Sequence, residues 1–342
     1  MRGAAVVVGG GIAGLAVARG LLSAGWAVEV RERSAAHPTS GTALGMWPEA
    51  MLALDRLGAG ETVRAASVEQ RGGRILRPDG REIARISTRR GARLVSRPHL
   101  LTALRGGLPP GTLRWDTPVR DARELRGVDL VVAADGVHST VRTALFGVAP
   151  RPLGTVAFRG TVPGEVGGVT ETWGRSRLFG ITPQHGGRTN WFAAVRSSVL
   201  TELGRDAGEV AVLRALYGSW HREVRAVLDA LDGEAVDERR LLDLPPLTSY
   251  VSGNVALVGD AAHAMAPNLG RGACESLLDA VALTEAVADA TDLPAALHRY
   301  DVRRRRSANR TVRLARLLNR MSTVERLAPA RDVVVSTGAR LG

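Results

Sequence analysis

The sequence contains no lysine, so all 46 of its permanently cationic side chains are arginines. Every mechanism that needs a lysine amine is therefore excluded, including Schiff-base formation and the phosphate-binding lysine of a Walker A loop. Arginine without lysine, beside abundant alanine and glycine, is typical of a GC-rich genome. The formal net charge of +12 is then weak evidence for a nucleic-acid partner, and we expect none.

Cysteine and long apolar runs are equally scarce. Cys274 is the only cysteine, which excludes a disulfide within the chain and a cysteine-rich metal site. No apolar run approaches the roughly 20 residues that a membrane-spanning helix needs, and the run at residues 4–8 is too short for a signal peptide. We therefore expect a cytoplasmic protein with no metal site and no membrane span.

The chain begins with a pattern typical of a parallel α/β sheet. A valine-rich strand at residues 6–8 is followed by three glycines, a helix at residues 12–24 and a second strand at residues 27–30. Further buried strands are predicted at residues 128–134 and 255–258. With 342 residues, the chain is long enough for about two domains, or for one domain with a large insertion.

The first turn carries the glycine pattern of a dinucleotide site. Gly9 permits the tight turn, Gly11 lets the backbone approach a pyrophosphate, and Gly14 allows close packing of helix on strand. Glu32 follows the second strand, where it can accept hydrogen bonds from the hydroxyls of an adenosine ribose. The pattern favours a dinucleotide-binding site, and the alternative is a glycine-rich turn that binds nothing. It does not distinguish FAD from NAD.

Two further motifs narrow the choice. The segment that begins Asp135–Gly136 resembles the Asp-Gly motif of the FAD-dependent aromatic hydroxylases, the single-component class A flavoprotein monooxygenases. The segment that begins Gly259–Asp260 resembles that family's Gly-Asp motif. It is followed by the family's proline and glycine positions at Pro267, Gly270 and Gly272. Residues 41–48 and Arg97 also resemble segments that flank the flavin in this family.

The resemblance implies roles for these residues in binding FAD. Asp260 would accept hydrogen bonds from the ribityl hydroxyls, and Arg97 would lie near the ribityl and pyrophosphate groups. Asp135 would contact the flavin and, indirectly, the nicotinamide nucleotide. Taken alone, Asp135 could be only a turn residue and Asp260 only a helix cap.

A loop that enters a helix completes the implied flavin site. Its free backbone N–H groups would point at the pyrimidine end of the flavin, and Arg271 would add positive charge there. The members of this loop that we assign to the site are Pro267, Gly270, Arg271, Gly272 and Ala273.

The implied fold is α/β, with a doubly wound Rossmann-like FAD-binding domain and an inserted β-sheet substrate domain. We assign residues 1–66, 97–151 and 251–342 to the discontinuous FAD-binding domain. Residues 67–96 and 152–250 form the β-rich substrate domain, because turn formers and aromatic residues are concentrated there.

Several positions depart from the family or have two interpretations. Cys274 and Glu49 stand where related proteins often carry asparagine. Cys274 is either a small apolar core residue, which we favour, or a covalent attachment point for flavin. His263 is either a structural residue at a strand end, which we favour, or a catalytic base. The arginine-rich stretch at residues 303–320 is interpreted as a solvated helix face, with docking to an anionic membrane or partner as the alternative.

The resemblance implies a complete reaction. NAD(P)H would reduce noncovalently bound FAD, O2 would add to form a C4a-hydroperoxide, and one oxygen would pass to an electron-rich aromatic carbon of a small molecule. No catalytic side chain can be assigned from the sequence, as expected if the flavin supplies the chemistry. Candidate substrate contacts are Arg159, Phe179, Trp191 and Phe192.

Two alternatives remain open at this point. The nearer is an FAD oxidoreductase that dehydrogenates or reduces its substrate without inserting oxygen. The other is a catalytically silent flavin-binding interaction protein. A monomer and a homodimer are both compatible with the sequence.

Overall fold

The structure is a computed structural model that describes residues 3–39, 41–125, 127–203, 208–288, 290 and 292–341. The strands are β1 (Ala4–Val8), β2 (Ala27–Arg31), β3 (Ala43–Met46), β4 (Ser67–Leu76), β5 (Glu82–Ser96), β6 (Leu113–Arg114), β7 (Leu130–Ala133), β8 (Arg151–Pro163), β9 (Val169–Trp173), β10 (Arg177–Gln184), β11 (Arg188–Arg196), β12 (Asp237–Asp243), β13 (Val251–Ser252) and β14 (Val255–Leu257). The α-helices are α1 (Ile12–Ser23), α2 (Pro48–Arg56), α3 (Gly60–Ala65), α4 (Arg97–Arg105), α5 (Thr140–Phe146), α6 (Ser197–Leu203), α7 (Gly208–Tyr217), α8 (Arg222–Asp229), α9 (Asp260–His263), α10 (Gly272–Ala288), α11 (Leu293–Ser322) and α12 (Ala328–Leu341).

One sheet has the doubly wound order predicted for a nucleotide-binding fold. Its strand order is β13-β14-β7-β1-β2-β6, and all pairs are parallel except the edge pair β13–β14. β1 lies between β2 and β7, so the chain winds outward from β1 in both directions. Ligands of such sheets bind outside the carboxyl ends of the strands at this switch point.

The second sheet is larger and mostly antiparallel. Its order is β12-β8-β11-β10-β9-β4-β5-β3, with the β4–β9 pair parallel. Our division from the sequence placed residues 1–66 with the FAD-binding domain, but β3 pairs with β5 in this second sheet. One face is covered by α6, α7 and α8 over a core that includes Phe158, Phe179 and Trp191.

Helices α1 and α10 pack against each other beneath the switch point. Gly20 of α1 meets Thr284 of α10 so closely that a Cβ on Gly20 would lie 2.3 Å from the threonine hydroxyl. Both helices are largely apolar and buried, which places the main core between them and the six-stranded sheet. This packing holds the start of each helix at the same edge of the sheet.

The predicted α/β fold is confirmed. Predicted strands and helices occur within a few residues of their expected bounds. The helix predicted at residues 12–24, for example, is α1, which ends at Ser23. Helices α6 to α8 were not predicted, because the segment was interpreted from its aromatic residues as mainly β.

Candidate active site

The first glycine turn brings the ends of β1 and β7 together. Gly9 has a φ of +104°, a left-handed conformation that favours glycine. A Cβ there would lie 2.4 Å from the Ala134 carbonyl oxygen, so no other residue fits between the two strand ends. Asp135 follows directly, which places both predicted motifs at the switch point.

The next two glycines of the pattern differ in what surrounds them. A Cβ on Gly14 would lie 1.9 Å from the Gly9 carbonyl oxygen, so Gly14 serves the packing of α1 on the turn. A Cβ on Gly11 would meet nothing within 4 Å. Gly11 is the N-cap of α1 and makes no side-chain cap, so free backbone N–H groups face this open space. An anion can be cradled there.

Glu32 is held rigidly beside this cradle. Its carboxylate accepts hydrogen bonds from the backbone N–H groups of Gly10, at 2.7 Å, and Ser34, at 2.9 Å. Partial burial acts to raise the pKa of the Glu32 carboxyl, but these backbone hydrogen bonds outweigh it and the pKa lies below its ordinary value. The side chain is therefore ionised at neutral pH and has lone pairs left for hydroxyl donors.

Asp135 both caps a helix and keeps a free oxygen. Its Oδ2 accepts from the backbone N–H of Thr140 at 2.8 Å and of Val141 at 3.3 Å, at the start of α5. Its Oδ1 is buried and has no hydrogen-bond partner among the described residues. Buried polar atoms are rarely left unpaired, so this oxygen points to a ligand donor.

Asp260 and Arg97 complete a charged edge of the cleft. Asp260, the first residue of α9, is exposed and makes no hydrogen bond to a described residue. The Arg97 guanidinium is accessible to water and yet closely surrounded by protein, which lowers its pKa. The negative charge of Asp260 acts to raise the pKa of Arg97, and the positive charge of Arg159 acts to lower it further.

The loop before α10 leaves its backbone open to the cleft. Gly270 has a φ of +59°, and a Cβ on Gly270 or on Gly272 would meet nothing within 4 Å. Pro267 begins a short 3-10 turn, and Gly272 and Ala273 begin α10. The free N–H groups at the start of this long helix face the same side as the loop.

Arg271 has a different setting from the one that the sequence predicts. Its guanidinium donates to Glu49 at 2.5 Å and to Glu275 at 3.0 Å. Partial burial acts to raise the pKa of the Glu49 carboxyl. Hydrogen bonds from its own backbone N–H and from Arg271, together with the charge of Arg271, outweigh burial, so the pKa lies below the ordinary value. Two carboxylates therefore compensate the positive charge expected beside the flavin.

Behind the loop lies a buried network of charges that sequence reasoning missed. Asp279 accepts from the backbone N–H of Gly259 at 2.8 Å, from His263 at 2.6 Å and from Arg304 at 2.7 Å. Arg304 also donates to Glu275 at 2.6 Å, which links this network to Arg271. The interpretation of the arginine-rich helix as a solvated face is wrong for Arg304, which is 6% exposed. The sequence signal that could have revealed this network is the presence of Glu275 and Asp279 within the otherwise largely apolar first half of α10.

His263 is part of this network and is buried. Burial acts to lower the pKa of its imidazole, but the charge of Asp279 and its hydrogen bond to the ring together outweigh burial, and the pKa is raised. The side chain is fully buried, so the structural role favoured from the sequence agrees with its position.

Cys274 lies in the core beside the same loop. Its thiol is buried and donates to the Gly45 carbonyl oxygen at 3.1 Å. Burial raises the pKa of this thiol to about 11, so it is protonated at neutral pH and is a poor nucleophile. This setting favours the packing role over covalent attachment.

The eight-stranded sheet supplies the opposite wall. Phe179 and Trp191 stack on each other in the core under the helices, so these two candidates do not face the cleft. On the other face, one row of paired residues runs across four strands as Glu171, Gly180, Phe192 and Arg159. Asn190 shares this face, since it is two residues from Phe192, and its Oδ1 accepts from the backbone N–H of Ala43 in β3.

These groups fit FAD. The cleft offers an open glycine cradle and two free helix N-termini for phosphate and pyrimidine oxygens. It also offers three carboxylates, at Glu32, Asp135 and Asp260, that can accept from ribose and ribityl hydroxyls. Within the described ranges, no group of three or more histidine, cysteine, aspartate or glutamate residues is arranged to hold a metal ion.

Comparison with known proteins agrees with an FAD site. The family model described as "FAD binding domain" matches residues 120–315. The aurachin C monooxygenase/isomerase of Stigmatella aurantiaca is 32% identical, over 89% of this chain and 85% of the relative. The chain belongs to the FAD-dependent aromatic hydroxylases. A 3-amino-4-hydroxybenzoate 2-monooxygenase of Streptomyces cremeus is 33% identical, over 81% of this chain and 76% of the relative.

Solved structures share the fold of this hydroxylase. Klebsiella pneumoniae HpxO complexed with FAD and uric acid has a TM-score of 0.86 at 24% identity, with 99% of this chain and 94% of that chain covered. A salicylate hydroxylase substrate complex has a TM-score of 0.79 at 23% identity, with the same coverage. The family match and the relatives at 32% and 33% identity make this enzyme a flavoprotein monooxygenase with FAD as its cofactor. Among the described helices of this hydroxylase, none is both long and apolar enough to cross a bilayer.

Proposed function

We propose that this hydroxylase binds FAD noncovalently in the cleft at the switch point and uses NAD(P)H and O2 to hydroxylate a small electron-rich aromatic molecule. The observation that carries the proposal is the convergence of open glycines and unpartnered polar groups at one edge of the sheet. The residues that we assign to the cofactor are Gly9, Gly11, Gly14, Glu32, Arg97, Asp135, Asp260, Pro267, Gly270, Arg271, Gly272 and Ala273.

Each side of the cleft has a distinct task. The Gly11 cradle binds the pyrophosphate, Glu32 orients the adenosine ribose, and Asp260 with Asp135 orients the ribityl chain. When bound, the flavin supplies hydride acceptance and activation of O2, chemistry that no amino-acid side chain provides. The protein holds the reacting groups in position and keeps water away from them.

The substrate side of the proposal rests on the row Glu171, Gly180, Phe192 and Arg159. Gly180 has no side chain, so the Phe192 ring lies across it, where a Cβ would come within 2.0 Å of a ring carbon. The half-buried ring offers an aromatic ligand a flat surface. Burial raises the pKa of the Glu171 carboxyl, and its Oε1 accepts from the Trp173 indole N–H at 2.8 Å. Arg159 is exposed and pairs with Asp237 at 2.7 Å.

The row therefore offers a ring surface between the cationic Arg159 and the buried carboxyl of Glu171. Such a wall suits a planar ring with an oxygen or nitrogen substituent at each end. The compounds in the names of two related enzymes, urate and 3-amino-4-hydroxybenzoate, are planar rings with such substituents. This likeness supports an aromatic substrate without naming it.

Two residues test the noncovalent mode of binding. Asp260→Ala removes a carboxylate that has hydroxyl partners on the cofactor, whereas Cys274→Ala removes only packing and one weak hydrogen bond. We expect the flavin-to-protein ratio after gel filtration to fall in the first variant and to persist in the second. Acid denaturation of the wild type should release intact FAD. Flavin retained on the precipitate would instead make Cys274 an attachment site.

Oxygen labelling tests the reaction. Candidate aromatic compounds are screened for faster NAD(P)H oxidation, and a positive compound is reacted under heavy-isotope O2. We expect one labelled oxygen atom in the product by mass analysis. Label found only in water or peroxide, with a desaturated or reduced product, would favour the oxidoreductase alternative. A flavin that NAD(P)H never reduces would favour a silent flavin-binding protein.

The location and assembly of the enzyme belong to the same proposal. We place it in the cytoplasm, where NAD(P)H is available, and keep both a monomer and a homodimer as predictions. The domain division derived from the sequence also stays a prediction; it assigns β3 to the FAD-binding domain, and β3 pairs with β5 of the second sheet.

A further inference from the structure

A second cleft lies at the far end of the eight-stranded sheet, outside the flavin site. It encloses about 600 Å³ where the turn between β9 and β10 meets the start of α12. Its walls include two tryptophans and four arginines, namely Trp173, Trp220, Arg77, Arg175, Arg177 and Arg331.

The two sites are separated along the strands. Arg177 begins β10, whereas Thr182 of the same strand accepts a hydrogen bond from Asn190, which in turn holds Ala43 on the flavin side. Five residues of extended strand span about 17 Å. The second cleft is therefore offset along the sheet from the Asn190–Ala43 contact on the flavin side, and Trp173 in its wall donates to Glu171 of the substrate-side row.

Part of the cleft is a rigid frame whose charges are already paired. Arg331 is buried and donates to the carbonyl oxygens of Trp173 and Gly174 and to the Asp332 carboxylate. Asp332 also accepts from Arg77 at 2.9 Å. These contacts fix the start of α12 against the end of β9, so the cleft is preformed.

Two other arginines of the cleft, Arg175 and Arg177, form no ion pair with a described residue. The Asp79 carboxylate of the same lining pairs with Arg81. The Arg177 Nε is buried without a hydrogen-bond partner, and its guanidinium carbon lies 5.9 Å from the centre of the Trp220 ring. The Arg175 side chain is exposed. A buried guanidinium N–H without an acceptor is costly in an apoprotein, and an anionic ligand would satisfy it.

We propose that this cleft binds a planar aromatic molecule that carries a carboxylate or phosphate group. The tryptophans and the arginine planes offer surfaces for ring stacking, and Arg175 with Arg177 offers a fork for the anion. An aromatic acid and a nucleotide share this chemistry. The proposal does not depend on which residues hold FAD.

Calorimetry on the full-length, FAD-loaded enzyme at low salt provides the test, with salicylate and adenosine 5′-monophosphate as separate probes. We expect saturable binding of at least one probe, weakened about tenfold or more in Arg177→Gln and in Arg175→Gln. Arg225→Gln, an equal charge change on the exposed face of α8 outside the cleft, is the matched control and should bind like wild type. Whichever probe binds identifies the source of the anion.

Two readouts separate this site from the flavin site. Flavin content and NAD(P)H oxidation should be unchanged in the arginine variants, and binding to the cleft should alter tryptophan fluorescence without altering the flavin spectrum. Arg175→Gln changes an exposed side chain, so it keeps the test valid if Arg177→Gln fails to fold. Equal affinity in wild type and Arg175→Gln, no binding of either probe, or binding seen only in the flavin spectrum would overturn the proposal.

Discussion

The Glu49 carboxylate accepts a 2.5 Å hydrogen bond from Arg271, and this contact joins the first turn of α2 to the loop that enters α10. The pair places a negative charge where the sequence alone indicates an uncompensated positive one. Because reduced flavin is stabilised by positive charge, Glu49 should make the bound flavin harder to reduce.

Glu49→Gln tests this relationship. Removal of the carboxylate leaves Arg271 with Glu275 as its remaining anionic partner, so we expect the flavin reduction potential to rise by about 30 mV, which corresponds to about 1.4 kcal/mol for two electrons. Spectroscopic titration against a dye of known potential measures the shift. Glu202→Gln, an equal charge change on the exposed surface of α6, serves as control. An unchanged potential would show that Arg271 does not act on the flavin.

Gly11→Ala and Gly14→Ala should separate binding from folding. The Gly11 methyl group enters open space in the cradle, so we expect FAD affinity to fall about tenfold or more while the apoprotein melts normally. The Gly14 methyl group would lie 1.9 Å from a backbone oxygen, so we expect a loss of about 1–3 kcal/mol in the free energy of unfolding. Cofactor titration and thermal unfolding of the apoprotein provide the two measurements. Identical behaviour of the two variants would contradict the assignment.

Arg304 and Arg303 are neighbours in sequence with opposite environments. Arg304→Met leaves two buried carboxylates, Asp279 and Glu275, without their cation and should cost about 3–5 kcal/mol in the free energy of unfolding. Arg303→Met removes a surface pair with Glu285 and should cost less than about 1 kcal/mol. Urea denaturation measures both. A small loss in Arg304→Met would mean that the buried network contributes little to stability.

The His263–Asp279 pair predicts a pH dependence of stability. The pKa of His263 is raised in the folded protein. The contribution of His263 to the free energy of unfolding is therefore complete below the ordinary histidine pKa of about 6.5 and is lost as pH rises through the pKa in the folded protein. Burial acts to raise the pKa of the Asp279 carboxyl, but His263 and Arg304 lower it below its ordinary value. The contribution of Asp279 to stability is therefore lost as pH falls through its pKa in the folded protein. His263→Gln should therefore remove the alkaline decline.

Melting temperatures of the two proteins between about pH 5 and 9 provide the measurement. The advantage of the wild type over His263→Gln should be largest near pH 6 and should shrink toward pH 9. A constant difference across this range would contradict a protonated His263 in the folded protein.

Local sequence determined the geometry of the candidate cofactor site because the parts of that site are short segments with their own conformational preferences. A valine strand, a glycine turn and a following helix specify the Gly9–Gly14 segment within a few residues of chain. The same holds for Asp135 and Asp260, which follow buried strands of the same parallel sheet. Parallel strands present their carboxyl ends at one edge, so these residues meet wherever that sheet forms.

The tertiary structure alone decided the charges and the walls. Residues 222 positions apart, Glu49 and Arg271, neutralise each other, and an arginine that looks solvated from its helix, Arg304, is buried against two carboxylates. The sequence also did not show which strand aromatics are core, since alternation along a strand does not state which face the helices cover. Local patterns specify local geometry, whereas the pairing of charges and the covering of a sheet face depend on contacts between segments far apart in the chain.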